Sequence, residues 1–248
     1  MAHIVFQRLQ RRGFDLEFTY HADAILSSDF PVAVQGLERI IRDISIPITE
    51  LVKGGGGETQ GTQRLRKALA ADKWRKRVFH VEVKVDARTT SAQSHEVDHV
   101  GTFDKGTIAL EIEWNNKDPF FDRDLENFNR LHADGAISVG LIVTRGSSLQ
   151  AGIEERMRKF ARSRGIRAFD DLEQFDVQPT RRQRAQVELY IERQKCSFAD
   201  GWAVCFVRDK FGSATTHWSK LKGRLDRGVG SPCPIVAIGI PIRCIVDG

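Results

Sequence analysis

The stretch Glu96-Val-Asp-His-Val-Gly-Thr-Phe-Asp-Lys-Gly-Thr-Ile-Ala-Leu-Glu-Ile-Glu-Trp114 has the pattern of a β-hairpin. Its second half, residues 107–114, is rich in β-formers and alternates in character. Successive side chains on a strand point to opposite faces, so Leu110, Ile112 and Trp114 share one face while Glu111 and Glu113 share the other. The two glutamate Cα atoms then lie roughly 7 Å apart, from the rise per residue. Asp104-Lys105-Gly106 reads as a type I turn with glycine at the left-handed position. A turn centred there sets Asp98 across from Glu111, give or take one residue where a bulge intervenes.

Three carboxylates thus meet on one sheet face, and like charges resist ionising together unless a cation sits among them. Magnesium is a hard cation that takes oxygen ligands and keeps several waters. On this reading Asp98 and Glu111 hold the metal, with the main-chain carbonyl of Ile112 between the two glutamates as a further ligand. Glu113 is then a general base or a second-metal ligand. The plainer alternative is an amphipathic hairpin with a solvated acidic face.

Outward from the hairpin, strands and helices alternate. Phe14 to Thr19 is strand-like, and Pro31 suits a helix start followed by Val34, Leu37, Ile40, Ile41 and Ile44 at helical spacing. Gly54 to Gly57 breaks regular structure and lacks the Gly-Lys-Ser/Thr ending of a Walker loop. Residues 61–71 read as helix and 78–86 as strand. After the hairpin, Asp122 is expected to cap a helix running to about His132. Residues 136–144 form a near-continuous apolar run, the mark of a central buried strand. Helices follow at 149–164 and about 180–195, and a last strand at 234–242. The expected fold is α/β, a mixed central β-sheet flanked by helices. It forms one domain over 1–248, with a catalytic core at about 54–170 and a C-terminal elaboration at about 175–248.

The run Glu111-Ile-Glu-Trp-Asn-Asn-Lys-Asp-Pro-Phe-Phe-Asp-Arg-Asp-Leu125, the preceding Asp98, and Gly135-Ala-Ile-Ser-Val-Gly-Leu-Ile-Val-Thr-Arg145 together carry a resemblance. They resemble the BglII/BstYI/BamHI-like branch of type II restriction endonucleases, within the PD-(D/E)XK nuclease superfamily. The resemblance implies a restriction-endonuclease-like core and a homodimer that cuts a short palindromic duplex site with Mg2+, partnered in its host by a cognate DNA methyltransferase. It carries the metal role onto Asp98 and Glu111 and the third active-site role onto Glu113. It also suggests an upstream acid, for which Glu58 is the candidate; a first-turn helix acid favoured by the dipole is the other reading of Glu58. Two positions depart from the family pattern. Val97 stands where a proline usually precedes the first acid, and Glu113 stands where Lys or Gln is usual.

Composition agrees with a nucleic-acid enzyme. The chain of 248 residues is 41% hydrophobic and 29% charged, with a net charge of +5 and a pI near 9.1. Basic residues fall in three blocks: seven against one acid in 64–77, five against two in 178–195, and six against two in 208–227. Such blocks can line one double-stranded DNA surface, although each alone is also an ordinary solvated face. Direct readout uses Arg or Lys on guanine and Asn or Gln on adenine. Asn115, Asn116 and Lys117 are candidates beside the metal site, as are Thr215, Thr216, His217 and Lys220 within 213–224. Arg181 and Arg182 suit phosphate contacts. Four scattered cysteines without a CxxC pair fit a reducing cytoplasm. No secretory signal and no apolar run of membrane-spanning length is expected.

Other functions remain open on the residues alone. A structure-selective repair or junction nuclease would share the chemistry without base readout. A catalytically inactive DNA-binding protein would keep only the basic surface. A glycosidase also needs paired acids, but the basic blocks and sparse Tyr and Trp argue against it.

Overall fold

The protein, a computed structural model, is described for residues 5–53 and 59–247. Its N-terminal part contains α1 (Gln7–Arg11), β1 (Asp15–Phe18), α2 (Ala22–Asp29), α3 (Pro31–Arg42), β2 (Ile46–Pro47), α4 (Ile48–Val52) and α5 (Gln60–Ala71). Then come β3 (Arg75–Val85), β4 (Arg88–Phe103), β5 (Gly106–Glu113), α6 (Phe120–Ala133), β6 (Val139–Arg145) and α7 (Ser147–Ser163). The last elements are α8 (Arg181–Gln194), α9 (Phe198–Phe211), α10 (Trp218–Leu225), β7 (Ile235–Ile240) and β8 (Ile245–Val246).

Six strands form one mixed sheet in the order β1-β7-β6-β5-β4-β3. β5, β6 and β7 run parallel, and β1, β4 and β3 are antiparallel to their neighbours. All residues of β6 and β7 are buried, as central strands covered on both faces require. On one face Ala109, Ile142 and Ala237 pack against Phe121, Leu125 and Phe128 of α6. On the other, Leu110, Leu141, Val143 and Ile238 join Leu37 and Ile41 of α3, Leu65 and Leu69 of α5, and Ile153 and Met157 of α7. The mixed sheet between helical layers is the architecture read from the sequence.

Several local expectations change. β7 lies between β6 and β1, so the region expected as a C-terminal elaboration supplies a strand to the middle of the sheet. α6 starts at Phe120 behind Pro119, which already has helical φ −62° and ψ −12°. Asp122 is therefore in the first turn and not the cap; its two oxygens accept from Arg224 Nε and Nη2, both at 2.7 Å. In the hairpin, Gly106 already pairs with Phe103 and has φ +148°. It belongs to the strand in a conformation open to glycine, and a Cβ there would run into the Ser138 side chain. The α9 helix escaped notice because Ala199, Trp202, Ala203, Val204, Val207 and Phe211 are buried around much of its circumference, which leaves no clean amphipathic stripe.

Close packing of α6 on the sheet depends on Gly140 of β6, where an added Cβ would overlap the Phe128 ring. Gly140→Ala is expected to destabilise the protein by about 1–3 kcal/mol, the usual range for overpacking, measured as a lower urea midpoint at unchanged slope. An unchanged midpoint would show that α6 can lift from the sheet freely.

Candidate active site

The β4–β5 register runs from Phe103 opposite Gly106 to His99 opposite Leu110. One further step brings Asp98 beside Glu111, and the Asp98 N–H donates to Glu111 Oε1 at 3.3 Å. On the other side of β4 the pairing slips between Arg75 opposite Val100 and Arg77 opposite Val97. Such a bulge bends the strand and re-aims side chains. Asp98 is consequently exposed, with its carboxylate 3.8 Å from Lys76 Nζ. Glu111 and Glu113 are buried, while Leu110 and Trp114 fill the opposite core layer with Ile112 packed against it.

A fourth acid, absent from the sequence reading, completes the cluster. Asp124 of α6 is 1% exposed. Its Oδ1 accepts from Arg123 Nε at 2.8 Å and lies 2.7 Å from Nη2. The same Nη2 is 3.6 Å from Glu113 Oε1, and Asn116 Nδ2 donates to Glu113 Oε2 at 2.8 Å. Asp124 Oδ2 is buried and receives no hydrogen bond from a described residue. The Asp124 and Glu113 carboxyl groups interact directly, and two carboxylates, being acceptors only, can meet there just by retaining a proton or by sharing a cation.

The electrostatics follow from this crowding. Burial pushes the Glu111 carboxyl up to about 9, with Asp124 and then Asp98 adding to it. Burial and then Asp124 raise Glu113 as well, and burial raises Asp124 against the pull of Arg123. The donors are all hard carboxylate oxygens, and one is a buried atom with no partner; that set suits a divalent cation of the magnesium type. As the side chains stand, Asp98 leans towards Lys76. Among the described residues no three His, Cys, Asp or Glu side chains form a group that could hold a metal ion.

Asp98 and Ile112 open onto a cleft of about 1020 Å³. Its walls include the cationic side chains Lys53, Arg66, Arg75, Lys76 and Lys210, against the acids Glu50 and Asp98. Glu50 is itself held by Arg64 at 2.7 Å.

A mixed sheet of this order, with acids gathered at the end of β5 beneath a basic cleft, has a family counterpart: residues 14–240 match the family model described as restriction endonuclease BglII/BglIII. The chain belongs to that family. Membership spans β1 to β7, identifies the fold as restriction-endonuclease-like, and supports a type II site-specific DNA endonuclease. No curated protein matches the chain in a sequence search.

Within this BglII/BglIII-family chain, the two loops singled out for base readout are joined. Lys117 pairs with Thr215 in an antiparallel bridge. Asn116 O accepts from Thr216 N at 2.8 Å, and Asn116 N donates to Thr216 Oγ1 at 3.1 Å. Arg145, fully buried at the end of β6, clamps the junction from behind. It donates to Trp114 O at 2.9 Å, Thr216 O at 2.7 Å and Gln150 Oε1 at 2.8 Å, and burial alone lowers its pKa to about 10.

This arrangement corrects part of the readout list. Thr216 is fully buried with its hydroxyl engaged, and His217 is buried with Nδ1 3.0 Å from Ser219 Oγ. Both are bracing residues here, because the Arg145 clamp draws this backbone inward. Lys220 is 3.3 Å from Asp118. Asn116, Lys117, Arg181 and Arg182 are exposed, and Asn115 and Thr215 are half-buried. Glu58 lies outside the described residues. Among the described residues no helix is long and apolar enough to cross a membrane.

The raised Glu111 carboxyl gives a test whose sign is fixed. A group with a folded-state pKa above its unfolded value contributes stability that is complete below the unfolded pKa, near 4.5, and is lost as pH rises through about 9. Glu111→Gln removes the titrating group and keeps its shape. In metal-free buffer the variant is expected to melt at a higher temperature than the parent at pH 8.5, and at a similar temperature near pH 5. A variant less stable than the parent at both pH values would show that Glu111 is held ionised by its surroundings.

Proposed function

We propose that the protein is a magnesium-dependent type II endonuclease that cuts double-stranded DNA at a short palindromic sequence. The observation that carries the reading is the crowding of Glu111, Glu113 and Asp124, buried and with raised pKa values, against Asp98 at the edge of a basic cleft. Membership in a restriction endonuclease family gives that crowding a purpose.

Asp98, Glu111 and the Ile112 carbonyl would hold Mg2+. When bound, the ion supplies Lewis-acid stabilisation of phosphoryl charge and a more acidic water. The protein's own groups do the rest. Glu113, fixed between Asn116 and Arg123, accepts a proton from the attacking water, and its raised pKa suits a base working near neutral pH. The products are a 3′-hydroxyl and a 5′-phosphate. Asn115, Asn116 and Lys117 stand beside this centre as base readers, Thr215 supports them from the joined loop and Lys220 from the first turn of α10, and Arg181 and Arg182 contact phosphates.

Palindromic cutting calls for a homodimer, in which two sites face opposite strands. A host carrying such an activity needs a cognate methyltransferase to protect its own DNA. Work in the cytoplasm is consistent with four free thiols.

A magnesium digest of DNA of known sequence, with every fragment end mapped, tests the reading. Discrete ends at one short sequence are expected. Cuts confined to forks or mismatches would replace it with a repair nuclease, and binding without cutting in magnesium or manganese would replace it with an inactive DNA-binding protein.

Asp98→Asn and Glu111→Gln should each lower cleavage by about a thousandfold or more, since losing several kcal/mol of charge stabilisation costs tenfold per 1.36 kcal/mol. Duplex binding, measured by gel shift, should remain. Loss of binding along with cleavage would assign both residues to the fold. Glu113→Gln should also disable cutting, whereas Glu113→Lys should retain part of it.

A further inference from the structure

Arg123 is placed unlike the cations that line the cleft. Its guanidinium is in contact with two carboxylates of the candidate centre: Nε and Nη2 hold Asp124 Oδ1 at 2.8 and 2.7 Å, and Nη2 lies 3.6 Å from Glu113 Oε1. The side chain is braced from outside, with its guanidinium carbon 4.3 Å from the Phe120 ring centroid. Asp124 is 1% exposed, and its second oxygen has no donor among the described residues. A buried carboxylate with one oxygen on a guanidinium and the other without a donor among the described residues, interacting with a second carboxyl group, offers the oxygens of a cation site that a side chain has already filled.

We propose that Arg123 supplies, from within the chain, the positive charge that a second divalent ion would otherwise supply between Glu113 and Asp124. The active centre then takes one divalent ion, on the Asp98–Glu111 side. The inference rests on the function proposed above and adds to it the number of ions and a role for Arg123. Guanidinium and metal compete for the same oxygens: Asp124 Oδ1 is already taken by Nε and Nη2 of Arg123, and two cations a few ångströms apart repel each other. Arg123 is held by Asp124 and lies against Glu113, so it balances the charge of that pair without a second ion having to be recruited. Asp124 is a positioning residue in this scheme, acting through Arg123 and Glu113.

The test counts ions. Mn2+ is titrated into the full-length protein near pH 8, and free Mn2+ is followed by electron paramagnetic resonance. The wild-type protein is expected to bind one Mn2+ per chain. Arg123→Ala, which removes a half-exposed side chain and leaves the core intact, should bind two, and Arg123→Ala combined with Asp124→Asn should return to one. Arg123→Lys should stay at one, because the ammonium keeps the charge. Melting curves confirm that each variant is folded; an Arg123→Ala protein that does not fold would pass the decision to Arg123→Lys and the wild type. Two ions on the wild-type or Arg123→Lys protein would overturn the inference while leaving the nuclease reading in place, and so would a single ion on folded Arg123→Ala. No bound ion on the wild type would overturn the metal reading itself, and the inference with it.

Discussion

Carboxylates that are buried close together must be neutralised, and that requirement organises the end of β5. Isolated ionised acids out of water cost several kcal/mol each unless paired. Glu111, Glu113 and Asp124 are all buried, yet the cations near them are few: Arg123 against Glu113 and Asp124, and Lys76 near Asp98. The protein accommodates the rest by raising pKa values and by leaving Asp124 Oδ2 without a donor among the described residues. Such an arrangement is costly for the fold alone and sensible for a centre that exchanges protons and holds a cation.

Holding the cluster in place takes rigid neighbours. The parallel pairing of β5 with β6 fixes Glu111 opposite Ile142 and Glu113 opposite Thr144, and the Thr144 hydroxyl donates to Glu113 O at 2.7 Å. One residue on, Arg145 ties Trp114 O to Thr216 O. Its guanidinium is buried without a carboxylate partner among the described residues, and carbonyls, Thr215 and Gln150 take its donors. A charged group satisfied in this way is expensive to disturb, so the strand end, the 114–118 loop and the 212–217 loop behave as one unit. Asn116 carries that unit to the chemistry, because it is bonded to Thr216 by its backbone and to Glu113 by its side chain.

The sheet was legible because its central strands announce themselves. An apolar run such as 136–144 has few other places to go, and the alternation in 107–114 assigns faces without knowledge of the partner strands. The placement of Asp98 beside Glu111 followed from the turn position. Asp124 was not read, although it left a signal. Phe121, Leu125 and Phe128 form a helical stripe, and Asp124 falls inside that stripe at a spacing where a core residue belongs. A lone acid on an apolar face marks either an error of phase or a functional group, and only the contact with β5 tells them apart. Thr216 and His217 misled for the opposite reason. Polar residues in a Gly-flanked loop read as exposed, and nothing local reveals that an arginine seventy residues earlier draws them inward.

Charge also has to be arranged on two scales. The cleft walls carry Arg66, Arg75 and Lys76 near Asp98, so the approach to the acids is positive even though the centre is negative. A polyanion nearing a bare cluster of four acids would be repelled; flanking cations reverse the sign of the field at longer range and confine the negative charge to short range. Lys210 does not share in this, since its ammonium is turned to the carbonyls of Leu51 and Lys53 at 2.8 and 3.0 Å and serves to fasten α9 to the end of α4. The same cleft therefore separates its lysines by partner: Lys210 faces carbonyls and builds the wall, and Lys76 on β3 faces the carboxylates of Glu96 and Asp98. A basic patch counted from sequence merges the two kinds, which is why the net charge of +5 understates how sharply the positive charge is focused beside Asp98.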